Sequence, residues 1–215
     1  FGGASNTISS TNPGGAEVIV GGLGSTISGG ELSGIYSSQA TISAGGAYNV
    51  ILGSAIGTIS SGSGGAMIGG NYNVINGGAY TFMGGGNNNT LNGSRTYIIG
   101  GNANTITNGV GGGIIGGTTN TLSGSNDAAN NMIGGSSNRL SVNGVIGATI
   151  IGGSDNKLFN ADSRGGDDRR LNYGAILGGA SNKIQGATTD SNGSNAFPII
   201  IGGKSNIISG AETPD

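Results

Sequence analysis

The densest set of groups able to do chemistry lies in Phe159–Leu177, FNADSRGGDDRRLNYGAIL. Asp162, Arg164, Asp167, Asp168, Arg169 and Arg170 are a third of the chain's charged residues, and Tyr173 follows closely. Such a segment can bind a polar ligand such as a glycan, with Tyr173 as a stacking platform. It can equally be a solvated loop whose charges pair locally, although loops carry most recognition on rigid scaffolds. A second segment, Gln185–Ile201, is polar with a single acid, Asp190; Asn192 and Asn195 are its candidate ligand contacts. Adjacent Asp167 and Asp168 do not make a glycosidase pair, which needs two carboxylates facing each other across a cleft.

Other chemistries lack their residues. The chain has no Cys and no His, which removes disulfides, thiolate metal sites and the commonest general base. A calcium-binding repeat needs an acid in each coil, and Asp155 is the only acid at the variable positions of the repeat defined below. The glycine doublets are not followed by the Lys and helix of a phosphate loop. The sequons at Asn88, Asn92 and Asn192 read as accidents of an Asn/Ser/Thr-rich composition. Net charge is −2, which disfavours a nucleic-acid partner, and no apolar run is long enough to span a membrane. No catalytic residue, cofactor or metal is expected, so the chain reads as a non-enzyme.

The scaffold beneath these segments is a repeat. Gly supplies 50 residues, charged residues are 8% and Pro is 3 residues, without the three-residue period of collagen. The frame G-G-x-x-N-x-[I/L] can be laid down twelve times. Clear copies are Gly2–Ile8, Gly69–Ile75, Gly100–Ile106, Gly116–Leu122, Gly134–Leu140, Gly152–Leu158, Gly178–Ile184 and Gly202–Ile208. Gly21–Ile27, Tyr36–Ile42 and Gly53–Ile59 are degenerate, and Gly84–Leu91 reads as carrying one extra residue. The last position is always Ile or Leu. This constant half alternates with a variable half that runs from 8 residues in NGSRTYII to 19 in Phe159–Leu177 and 17 in Gln185–Ile201. One half keeps step while the other absorbs insertions, as in a solenoid coil. Glycine doublets at this frequency disfavour helix, so each half is expected to hold one short strand and a turn. Twelve such coils, stacked in parallel, would extend roughly 55 Å at the spacing of β rungs.

Alternation along a strand sets the faces. The Ile/Leu and Asn positions share the inner face, which predicts an inward ladder of Asn73, Asn104, Asn120, Asn138, Asn156, Asn182 and Asn206 with amides bonded above and below. The position between them, Thr in most copies, becomes Arg139, Lys157 and Lys183 late in the chain and reads as solvated. A flat Thr array also suits ice binding, but there is one Thr per coil and the rank is interrupted. The variable half ends in apolar doublets: Ile98-Ile99, Ile114-Ile115, Ile150-Ile151, Ile176-Leu177 and Ile200-Ile201. Adjacent strand residues cannot both face the coil interior. One column fills the solenoid and the other needs a cover, which soluble monomers rarely leave exposed. Other copies of the same chain are the expected cover.

Units such as YIIGGNANTI (97–106) and TIIGGSDNKL (149–158) resemble the repeats of trimeric autotransporter adhesin heads and of the Gly/Asn-rich fibres of phages and large viruses. The resemblance covers nearly the whole chain, although the coils here are longer and less regular. It implies a left-handed parallel β-roll packed as a homotrimer around an apolar axis. The expectation is therefore an all-β parallel β-solenoid of about twelve two-stranded coils, one domain over 1–215, with insertions at 159–177 and 185–201. Its expected role is structural and receptor-binding, in an extracellular trimeric fibre of a phage or virion that attaches to a host-surface glycan or protein. A bacterial surface adhesin head is the near alternative. A self-assembling filament is another, since the chain begins in phase with the repeat at Phe1-Gly2-Gly3 and ends soon after a complete motif at Ile208.

Overall fold

The computed structural model describes residues 3–9, 15–29, 32–43, 47–124, 129–141, 147–159, 174–185 and 197–209. Among these residues the chain is all-β, without helix, and the paired strands run parallel as a β-solenoid. Contacts group it into two compact units, Phe1–Ile106 and Thr107–Asp215.

In the first unit the constant-half strands Thr7–Ser9, Thr26–Ser28, Thr41–Ile42, Gly57–Ser63, Asn73–Ala79 and Thr90–Ile99 pair one after another. The variable-half strands Val18–Ile19, Gly34–Tyr36, Val50–Leu52, Ala66–Ile68 and Phe82–Gly84 form a second ladder, completed by the end of Thr90–Ile99. Strands thus pair with the strand one coil away rather than with their sequence neighbour, except that Phe82–Gly84 meets the long strand Thr90–Ile99, which runs from one half of its coil into the other. That is the pairing of a solenoid and not of a hairpin.

The second unit repeats the plan. Thr121–Ser123, Arg139–Ser141, Lys157–Phe159, Lys183–Gln185 and Ile207–Ser209 stack in one ladder. The end of Thr105–Ile115, then Asn131–Ile133, Thr149–Ile151, Ala175–Leu177 and Ile199–Ile201 stack in the other. Register is in phase with the repeat, so like residues lie over like: Leu140 on Leu158, and Ile150 on Ile176.

Each core is two facing aliphatic columns. In the first unit Ile27, Ile42, Ile59, Ile75 and Leu91 come from the constant strands, and Ile35, Ile51, Met67, Met83 and Ile98 from the variable strands; all are buried. In the second unit the columns are Leu122, Leu140, Leu158 and Ile184 against Ile114, Met132, Ile150 and Ile176. A coil this thin has no room for a third apolar layer, so the remaining inward positions are small or polar.

Two repeat boundaries differ from the sequence reading. Tyr36 pairs with Leu52 and Gly84 with Ile99, so both belong to the end of a variable strand. The corner after Tyr36 is therefore one residue short. The copy at Gly85–Leu91 is an ordinary seven-residue copy, because the apparent extra glycine, Gly84, stands where other coils place the second residue of the apolar doublet. A run of three glycines offered two frames, and only strand register distinguishes them.

Candidate interaction face and the asparagine clips

The corner between the two halves explains the motif. Both glycines take positive φ, +65° and +75° at Gly134 and Gly135, and the second variable residue, Ser137, does so at +54°. Three left-handed residues within four reverse the chain into the next strand. A Cβ on the first glycine would meet nothing within 4 Å at Gly134, Gly152, Gly178 or Gly202. A Cβ on the second would overlap the Asn side chain of its own coil and a glycine carbonyl of the next, as at Gly135, Gly153 and Gly179. The first glycine supplies conformation; the second supplies space as well.

That space is occupied by the Asn amide. Asn138 Nδ2 donates to the carbonyls of Gly152 and Gly153 in the next coil, at 3.3 and 3.2 Å. Its Oδ1 accepts the backbone N–H of Asn156 at 2.9 Å. Asn182 repeats this against Gly202, Gly203 and Asn206, and Asn73 against Gly85, Gly86 and Asn89. Asn120 and Asn156 each clasp the coil that follows, and Asn104 donates its backbone N–H to Asn89 Oδ1. The inward Asn column is bonded mainly to backbone groups rather than amide to amide. Side chain-to-side chain bonds are a minor part, as in Asn206 Nδ2 to Asn182 Oδ1 at 3.1 Å. Most bonds link the side chain to the backbone of the following coil, with longer ones to the first glycine of the same coil from Asn156, Asn182 and Asn206. Asn73, Asn138 and Asn182 are each a clip holding three backbone groups at the corner; of these the second glycine's carbonyl also accepts a ladder N–H, as Gly153 does from Ser136 at 2.9 Å.

Sequence reasoning missed a further clip. Asn49 Oδ1 accepts the backbone N–H of Gly65 at 2.9 Å, and Asn130 Oδ1 that of Ala148 at 2.9 Å, both at the variable-half corner. The signal was there: Gly45–Ile51, GGAYNVI, fits the repeat frame inside a variable half. The coil is two versions of one unit. At most variable-half corners the clip is absent, with Thr81, Thr96, Gly112, Gly174 or Pro198 in its place. The insertions of the sequence fall on this less uniformly clipped side.

The doublets separate as alternation requires. Ile98, Ile114, Ile150 and Ile176 are fully buried, whereas Ile99, Ile115, Ile151 and Leu177 are 38–43% exposed. At the last described rung Ile200 is buried and Ile201 is 80% exposed. The outward members stack rung on rung. In the second unit they are Ile115, Ile133, Ile151, Leu177 and Ile201. In the first they are Val20, Tyr36, Leu52, Ile68 and Ile99, with Gly84 leaving one gap. Each unit thus carries an aliphatic stripe on the outside of its variable-strand ladder.

The loop candidates Asp162, Arg164, Asp167, Asp168, Arg169, Arg170, Tyr173, Asn192 and Asn195 lie outside the described residues. The position between Asn and Ile/Leu faces outward, half-buried at Thr121 and exposed at Arg139 and Lys157. Among the described residues no group of three or more Asp or Glu gathers as a metal site would require. No protein-family model matches the chain, and no curated protein matches it in sequence.

Proposed function

We propose that this chain is a structural and receptor-binding segment of an extracellular homotrimeric fibre, of the kind a phage or virion uses to attach to a host surface. In this reading about twelve left-handed coils run along the fibre, and three chains pack their aliphatic stripes around a common axis. The segments 159–177 and 185–201 supply the host contacts. The observation that carries the reading is the stripe of outward Ile and Leu described above. Full burial of such a side chain is worth about 1.5–3 kcal/mol. With roughly two-fifths of four of them and four-fifths of Ile201 still exposed, the five in the second unit retain on the order of 5 kcal/mol per chain. A soluble protein rarely leaves such a stripe wet, and an identical stripe on a sister chain is its natural complement.

Electron microscopy of the purified protein tests the role. Short rods of uniform length, bearing material that adheres to a host-cell surface, support a fibre segment. Indefinite threads would replace it with a self-assembling filament.

A further inference from the structure

The constant-strand ladder of the second unit carries an arrangement that neither the coil nor the stripe requires. Arg139 lies directly over Lys157, and Lys157 over Lys183, in consecutive parallel rungs. Their inward neighbours Leu140, Leu158 and Ile184 are buried, so all three cations stand on the outer face. Rungs are about 4.8 Å apart, and like charges set directly opposite one another destabilise a sheet. The same column holds Thr at Thr121 and, in the first unit, at Thr26, Thr41, Thr58 and Thr90. Thr is the better strand former and carries no repulsion, so the fold does not call for the cations.

Local compensation is slight. Asp155 pairs with Lys157 at 3.1 Å, but both groups are about half exposed, where such pairs contribute little. Lys183 lies 5.1 Å from the ring centre of Phe159. Asp155 is the only acid among the described residues of this unit, against Arg139, Lys157, Lys183 and Lys204. In the insertion that follows Phe159, three Asp are matched by three Arg, so its sequence carries no surplus of negative charge. Beside the cations runs a second outward column of Ser123, Ser141, Phe159, Gln185 and Ser209. It offers hydroxyl and amide groups and one aromatic ring.

We propose that Arg139, Lys157 and Lys183 form a binding ladder for a linear anionic polysaccharide, one acidic group per rung, with the Ser/Phe/Gln column meeting the sugar hydroxyls and ring faces. Evenly spaced fixed cations on a flat face match a chain with evenly spaced sulfates or carboxylates. The neutral column suits sugars better than phosphate, and the net charge of −2 is wrong for a nucleic-acid surface. This deepens the attachment role by naming a ligand class. It places that ligand on the constant strands and does not depend on how the chains assemble.

The test is binding of the full chain to heparin fragments of defined length, across a salt series. Saturable binding is expected, with log K falling against log salt at a slope of about −2 for three ionic contacts. Replacing all three residues by the column's own residue, Arg139→Thr, Lys157→Thr and Lys183→Thr, should weaken binding at least tenfold while the melting temperature holds or rises. Lys204→Thr, outside the ladder, should bind as wild type. A triple variant that binds heparin unchanged would place the ligand elsewhere. No binding by wild type, or equal affinity for a single-stranded oligonucleotide, would overturn the assignment. Sedimentation of the same samples reports assembly separately, so loss of this site and loss of the fibre reading are distinguishable.

Discussion

Substituting the two glycines of a single corner separates conformation from space. Gly134→Ala places an L-residue at φ +65° with nothing within 4 Å of the new methyl. The left-handed conformation alone costs about 1–2 kcal/mol. Gly135→Ala meets the same conformational cost at φ +75°, and its methyl also overlaps Asn138 Nδ2 and the carbonyl oxygen of Gly153, with Gly152 C at 2.8 Å. Either the next coil moves or Asn138 swings out. In the second case the N–H of Asn156 loses its partner, the Gly152 carbonyl keeps only a 3.5 Å contact from Asn156 Nδ2, and the Gly153 carbonyl keeps the N–H of Ser136. Leaving one such buried group unsatisfied costs about 1–3 kcal/mol. Gly135→Ala should therefore exceed Gly134→Ala by at least about 2 kcal/mol, a difference of roughly 4–8 °C in melting temperature for a chain of this length. Thermal melts of both variants and of Gly135→Ala/Asn138→Ala are the assay. The double variant should be less damaged than the two single losses added together, because both remove the same clip. Equal melting temperatures for Gly134→Ala and Gly135→Ala would refute the reasoning, leaving φ as the only constraint.

Three further outcomes follow from the corners and the doublets. Thr119 is an exposed β-branched residue at φ +57°, so Thr119→Asn should stabilise by up to about 1 kcal/mol, read as a rise in melting temperature. Asn182→Leu leaves the Asn206 N–H without its partner and takes one of two donors from the carbonyls of Gly202 and Gly203, and should cost about 1–3 kcal/mol in denaturant unfolding. Ile150→Ala empties a fully buried site and should cost about 2–5 kcal/mol of stability, whereas Ile151→Ala, one residue later, should weaken assembly while the melt of the unassembled chain barely moves.

Much of this was readable before any coordinates. The Gly-Gly and Ile/Leu positions recur at fixed spacing because each is set by a local demand, left-handed backbone or inward packing, so the coil and its two faces are visible in the chain itself. Which residue of Ile150-Ile151 turns inward was not visible. Both are isoleucine, and only the phase of the strand relative to the corner decides it. The frames at Tyr36 and Gly84 failed for the same reason. The Asn column was legible as inward, but its partners were not: the carbonyls of Gly152 and Gly153 become acceptors only once the next coil is stacked in register. The clip at Asn49 is spelled out in GGAYNVI, but it falls in the half whose length varies, where the frame carries no fixed spacing. Of the candidate site, the cation column at Arg139, Lys157 and Lys183 was evident as a trend. Its direct rung-on-rung stacking, which gives it meaning, came from pairing across 18 and 26 residues of sequence.

The most direct measurement is the solution mass of the native chain, by sedimentation equilibrium with a crosslinked sample as a check, beside an Ile133→Lys/Ile151→Lys variant. Three chains per particle are expected for wild type, and a folded but dissociated chain for the variant, because lysines on the stripe would meet their symmetry copies at the axis. A wild-type chain that stays stable and alone at 20.6 kDa, with its outward isoleucines open to solvent, would contradict the idea that sister chains cover the stripe.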